Sequence, residues 1–227
     1  MIYYAFERVM SAPRMTRYLV ACGNKSRKAM TLYRLNLRLS QEFLTVISCL
    51  EVGLRNSIDR VYLNQLGAQW LRVAASPGGV FDNVHCRKTA TIINDAVHRL
   101  GARYTHNKLV AEMDFGMWRY LFARPQFAAA GRTLLSVFPA KPRSTSLVQY
   151  NSSYVFGELA KINDLRNRIA HHEPICFQAG LQVKDTTHVR NVYGLIIQLF
   201  QWMQVDESAL LYGIDHVVPL CDRIDRL

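Results

Sequence analysis

The segment LRNRIAHHEP, Leu165 to Pro174, sets an arginine, an asparagine and two adjacent histidines on one short stretch: Arg166, Asn167, His171 and His172. A histidine side chain ordinarily titrates near pH 6.5, so it can take or give a proton under cellular conditions. An arginine can hold a phosphate and stabilise the charge that builds on it during displacement. Together they suit RNA cleavage without a metal, in which a histidine takes the proton of a ribose 2′-hydroxyl or returns one to the leaving 5′-oxygen. DNA lacks that hydroxyl, so such a site selects RNA by chemistry. The competing reading is electrostatic: two histidines at a helix end complement its negative pole, and an Arg-Asn pair bridges neighbouring helices.

On a helix, Asn167 and His171 stand nearly above one another, which predicts that the amide bonds or orients the imidazole, whereas Arg166 and His171 diverge by about 140°. The apolar stripe through Leu159, Ile162, Leu165 and Ile169 points to a core and leaves the polar cluster on a surface or groove, and Pro174 ends the helix just beyond the histidines. An upstream echo, LRNSIDR at 54–60, repeats Leu-Arg-Asn-x-Ile but carries Arg60 where the later copy has histidine. It reads as a decayed second motif or as a brace for the groove. Glu51, one turn before Arg55, is placed to fix that arginine and favours Arg55 and Asn56 as a brace.

The elements that must position these residues are helices. Phe43, Ile47, Leu50, Leu54, Ile58 and Val61 recur at helical spacing over 40–66, with Gly67 as a stop. A basic amphipathic helix over 25–39 precedes them, and Ser40 either caps the junction or lies within one continuous rod. The Pro-Gly-Gly stretch at 75–83 is a loop, and Ile92, Ile93, Ala96, Val97 and Leu100 mark the next helix. Helices are predicted over 108–123 and 127–138, a proline-basic connector over 139–146, the motif helix over 147–172 and a last long helix over 185–205. No strand pattern of comparable length competes, which predicts an all-α helical bundle. Its 227 residues form one domain: basic N-terminal helices (1–72), middle helices and connector (73–146), the motif helix and final bundle helix (147–205), and a short helical tail (206–227).

Half the residues are hydrophobic and a fifth are charged, as in a folded globular protein. The charge is uneven: eleven basic against four acidic residues over 1–72, ten against four over 73–150, and seven against nine over 151–227. That imbalance favours a polyanionic partner, RNA above all. Lys25, Arg27, Lys28, Arg34 and Arg38 form a basic face that would track an RNA backbone or simply stay solvated. The best apolar run, 192–203, is broken by glutamines and too short for a membrane span, and the first residues lack a secretory pattern. The expectation is a cytoplasmic protein with no membrane partner. Five scattered cysteines, at 22, 49, 86, 176 and 221, lack a paired motif and read as reduced and structural. His85, His98 and His106 match no metal-site spacing, no cofactor is implied, and Trp118, Tyr120 and Trp202 read as core before base-stacking residues.

Taken with LEVGLRN at 50–56, FGMW at 115–118 and MTLYRLN at 30–36, the run LRNRIAHHEPI resembles the Abi-like family of bacterial abortive-infection proteins, part of the HEPN superfamily of helical-bundle ribonucleases. The resemblance spans roughly residues 11–205, and its Arg-x4–6-His signature is met by Arg166 with His171, or with His172. It implies that Arg166 contacts the scissile phosphate, that His171 is the general acid or base with His172 as understudy, and that Asn167 positions one of them. It also implies a homodimer in which two motifs face each other across a two-fold axis, and a toxin or effector role in phage defence held in check by an inhibitor or an activating partner. The alternative is a non-catalytic module of the same kind that binds RNA or protein, and a third reading places the Arg-His cluster in a purely structural interface.

Overall fold

In the computed structural model, which describes residues 1–227, the chain is all-α: twelve α-helices and two 3-10 turns, with one isolated bridge between Phe177 and Lys184. The helices are α1 (Tyr3–Met10), α2 (Ala12–Ala21), α3 (Ser26–Leu66), α4 (Trp70–Ala75), α5 (Arg87–Leu100), α6 (His106–Glu112), α7 (Phe115–Tyr120), α8 (Arg124–Ala129), α9 (Ser152–Ala170), α10 (Thr187–Trp202), α11 (Glu207–Leu210) and α12 (Val217–Asp225).

Ser40 starts no new helix, and α3 runs unbroken for 41 residues. Its buried stripe passes straight through that point: Leu32, Leu39, Phe43, Ile47, Leu50, Leu54 and Ile58 are all buried. The hydroxyls of Thr31, Thr45 and Ser48 donate to carbonyls four residues back, so they compete little with the helix. Val61 is only half-buried, and Tyr62 takes its place in the core.

The chain divides into two compact units. Unit 1 comprises Met1–Ser48, Asp164–Gln198 and Glu207–Leu227. Its aromatic centre packs Tyr33 edge-on against Phe6 and Tyr18, with Tyr18 against Phe177, at centroid distances of 5.4, 5.0 and 5.1 Å. Arg190 ties α10 to α12 through Asp222 and Asp225 at 2.6 and 2.9 Å. Unit 2 comprises Cys49–Asn163 and Leu199–Asp206. Trp118 and Trp202 belong to its core, whereas Tyr120 is 39% exposed.

The middle of the chain is more broken than its apolar spacing suggests. Where one helix is expected over 108–123, Met113 is extended and Asp114 caps α7 through a bond from the Met117 amide, splitting the stretch in two. Over 127–138, α8 begins earlier, with Pro125 in its first turn, and ends at Ala129, after which only a 3-10 turn at Leu134–Val137 forms. The motif helix likewise starts at Ser152, where Asn151 accepts from the Tyr154 amide, and the last long helix covers Thr187–Trp202.

The Pro-Gly-Gly loop folds back onto the end of α4, where the Phe81 amide donates to the Ala74 carbonyl at 2.8 Å. A Cβ at Gly79 would lie 2.2 Å from the Val73 oxygen and 2.6 Å from that of Ala74, whereas Gly78, at φ +79°, has open space around it. Gly79→Ala is therefore expected to destabilise the protein by about 2–4 kcal/mol, and Gly78→Ala by only about 1 kcal/mol from its left-handed backbone. Urea unfolding of the two variants checks that order.

Candidate active site

The site forms at the C-terminal end of α9. Leu165 and Ile169 are buried, so the intervening Arg166 and Asn167 are half-buried and His171 and His172 exposed. The helix stops at Ala170, one residue before the histidines expected in its last turn. His171 is the cap residue, and His172 comes next in the left-handed region at φ +57°. The amides of His172 and Glu173 donate to the carbonyls of Ile169 and Arg168 at 2.9 and 2.8 Å, a helix ending that normally uses glycine at the left-handed position. Pro174 explains why the chain must leave the helix here, because it disfavours helical geometry at Glu173.

Three side chains hold this turn. Arg168 donates to the Pro174 carbonyl at 2.8 Å and pairs with the Glu173 carboxylate at 3.4 Å. Arg14 of α2 donates to the His172 carbonyl at 2.8 Å. Asn36, buried on α3, accepts on one amide oxygen from the backbone N–H groups of Ile175 and Cys176, at 2.9 and 3.3 Å. The spacing of the motif points to none of these partners. Asn36 closes the word MTLYRLN, and the contact shows what that residue does there.

The two motif arginines have different commitments. Arg168 is spent on the turn, whereas Arg166 forms no ion pair and makes one long hydrogen bond, at 3.4 Å, to the side-chain oxygen of Asn167. A half-buried guanidinium without a carboxylate is available to an anion. The Asn167 amide oxygen thus orients Arg166, and its expected bond to the His171 imidazole is not formed, although the His171 backbone N–H still donates to the Asn167 carbonyl at 2.9 Å. His172 and Glu173 line a groove of about 490 Å³ in unit 1, whose other wall is the α3 face of Leu37, Gln41, Leu44 and Ser48. His171 is not among the lining residues.

The remaining sequence candidates are spread out. Glu51, Arg55 and Asn56 lie on the part of α3 that belongs to unit 2, Glu51 and Arg55 half-buried and Asn56 exposed. Arg60 of the echo donates to the Ser57 hydroxyl. Of the basic set, Arg27, Arg34 and Arg38 share one exposed stripe of α3, with Arg34 lying over the Phe6 ring at 5.2 Å. Lys28 is turned away from that stripe and donates to the Leu227 carbonyl at 2.6 Å, and Lys25 precedes the helix. The five cysteines are free thiols. Burial pushes the Cys176 thiol up to about 12 and that of Cys221 to about 11, which keeps both protonated and poorly nucleophilic. No three His, Cys, Asp or Glu side chains come together as a metal-binding set.

Replacing Asn36 by Leu strands two buried N–H donors and is expected to cost about 2–4 kcal/mol. His172→Gly relieves the left-handed strain and is expected to raise stability by about 0.5–1 kcal/mol. Denaturant titration of both variants checks the two signs.

No family model, curated protein or solved structure matches this chain.

Proposed function

We propose that the protein is a metal-independent endoribonuclease of the HEPN type, an Abi-like effector of phage defence. The observation that carries this reading is the uncommitted Arg166 guanidinium, held half-buried by Asn167 one turn before two exposed imidazoles. Arg166 binds the scissile phosphate and stabilises its developing charge. His171 takes the proton of the 2′-hydroxyl, whose oxygen attacks phosphorus and expels the 5′-oxygen. A proton returned to that oxygen completes the step and leaves a 2′,3′-cyclic phosphate and a 5′-hydroxyl. His172, in the groove wall, contacts the RNA.

Arg166 and His171 diverge on one helix end, so a single copy presents them awkwardly to one phosphate. Two copies related by a two-fold axis supply two of each around it, and the reading therefore includes a cytoplasmic homodimer with a composite site. Exposed Arg27, Arg34 and Arg38 give the RNA backbone a track on α3. A stable RNase inside a cell requires restraint, by an inhibitor or by dependence on an activating partner.

The test is incubation of total RNA with the purified protein in EDTA, with fragment end groups identified. Wild type is expected to give cyclic-phosphate ends. Arg166→Ala and His171→Ala are expected to lose about 10²–10⁴-fold in rate while still binding RNA. Binding without cleavage by every form, including wild type with its cellular partners restored, would support the non-catalytic RNA-binding module instead.

A further inference from the structure

A second grouping of reactive side chains lies in unit 2, and it uses the upstream echo. Asp59, from LRNSIDR, accepts on one oxygen from Trp70 Nε1 and pairs through the same oxygen with His106 Nε2, both at 2.7 Å. The pair is enclosed, with side-chain exposures of 15% for Asp59 and 8% for His106. A carboxylate only accepts, so Nε2 carries the proton of this bond. Nδ1 is buried and has no partner. Buried polar atoms without a partner are rare in folded proteins.

His106 forms part of the wall of an open cleft of about 570 Å³, with Gln69, Arg72, Val73, Tyr104 and Thr105. The exposed Arg72 guanidinium lies 4.9 Å from the centre of the Tyr104 ring and has no carboxylate partner. An aromatic platform of this kind fixes a guanidinium without neutralising it. The Tyr104 hydroxyl donates to Gln69 Oε1, which occupies the amide oxygen and leaves the NH2 group without an acceptor. Thr105 Oγ accepts from the Lys108 amide, so its own hydrogen is left to donate. The lining residues thus supply a cation and several donors and include no carboxylate. That is the complement of a phosphate group, whose charged oxygens accept.

We propose that this cleft binds a phosphate-bearing ligand, held by Arg72 with Gln69 and Thr105 above the Asp59–His106 pair. The proposal is independent of the cleavage reading, because it shares no residue with Arg166, His171 or His172. It also gives the echo a separate role, in which its aspartate holds His106 in the wall of the cleft.

The test follows the imidazole nitrogens of the full-length, ¹⁵N-labelled protein by NMR, with the His106 signals assigned through His106→Gln. Inorganic phosphate is titrated at constant ionic strength against chloride, and then adenosine monophosphate and a short oligoribonucleotide made uncleavable by 2′-O-methylation. Phosphate is expected to shift the His106 nitrogens saturably. Arg72→Ala is expected to weaken that binding by about tenfold or more, and Arg72→Lys by less, since lysine keeps the charge but not the fork. Arg72 is exposed, so these variants leave the core intact. Tighter binding of the mononucleotide or of the oligonucleotide identifies the source of the phosphate as a free nucleotide or an RNA backbone, and either supports the site. Absence of a saturable His106 shift in wild type, or an unchanged affinity in Arg72→Ala, overturns it.

Discussion

The geometry of the motif depends on how α9 ends. A helix that continued past Ala170 would carry His171 and His172 around its surface and extend the spacing on which the sequence pattern is built. The chain instead turns at His172 in a left-handed conformation, closed by backbone bonds from His172 and Glu173 to the last turn. That conformation suits glycine, and any side chain there is held against a cost of about 1–2 kcal/mol. The surrounding contacts make it tenable: Arg168 and Arg14 fasten the carbonyls of the turn, and Asn36 takes the two amides just beyond it. The strain falls on a residue that borders an open groove.

The same contacts separate the arginines by role. Arg166 and Arg168 are two residues apart and chemically identical, so their difference comes entirely from partners. Arg168 has both a carbonyl and a carboxylate within reach because the chain reverses beneath it. Arg166, pointing elsewhere on the helix, finds only a neutral amide oxygen. An arginine already paired with a carboxylate must lose that pair before it can hold a phosphate, whereas Arg166 loses one long hydrogen bond. The turn therefore occupies Arg168 and leaves Arg166 as the guanidinium without a carboxylate.

The all-α class was legible in the sequence, because a 3.6-residue apolar period runs through Phe43 to Ile58 and Leu159 to Ile169 and each of the stripe residues is buried. Helix ends were less legible. The breaks at Met113–Asp114 and after Ala129 come from single capping and extended residues, which leave the apolar spacing almost unchanged. Within the site, Arg166, Asn167 and the histidines could be named because they are close in sequence. Arg14 and Asn36 could not, since each meets the motif segment across more than a hundred residues and neither carries a periodic signal.

The two Leu-Arg-Asn words show why a short motif cannot be read apart from its place on a helix. In the later copy α9 ends at Ala170, three residues after Asn167, and the chain turns out of helical geometry at His172. In the earlier copy α3 continues from Asn56 to Leu66, so Arg60, at the position matching His171, stays on a helical surface and bonds to Ser57 one turn back. No turn forms there, and no residue of the word borders a groove as His172 does in the later copy. Asp59 instead meets Trp70 and His106, groups that arrive from α4 and α6. The similarity of the two words is therefore one of helix-forming sequence, and the chemistry of each is decided by where its helix stops.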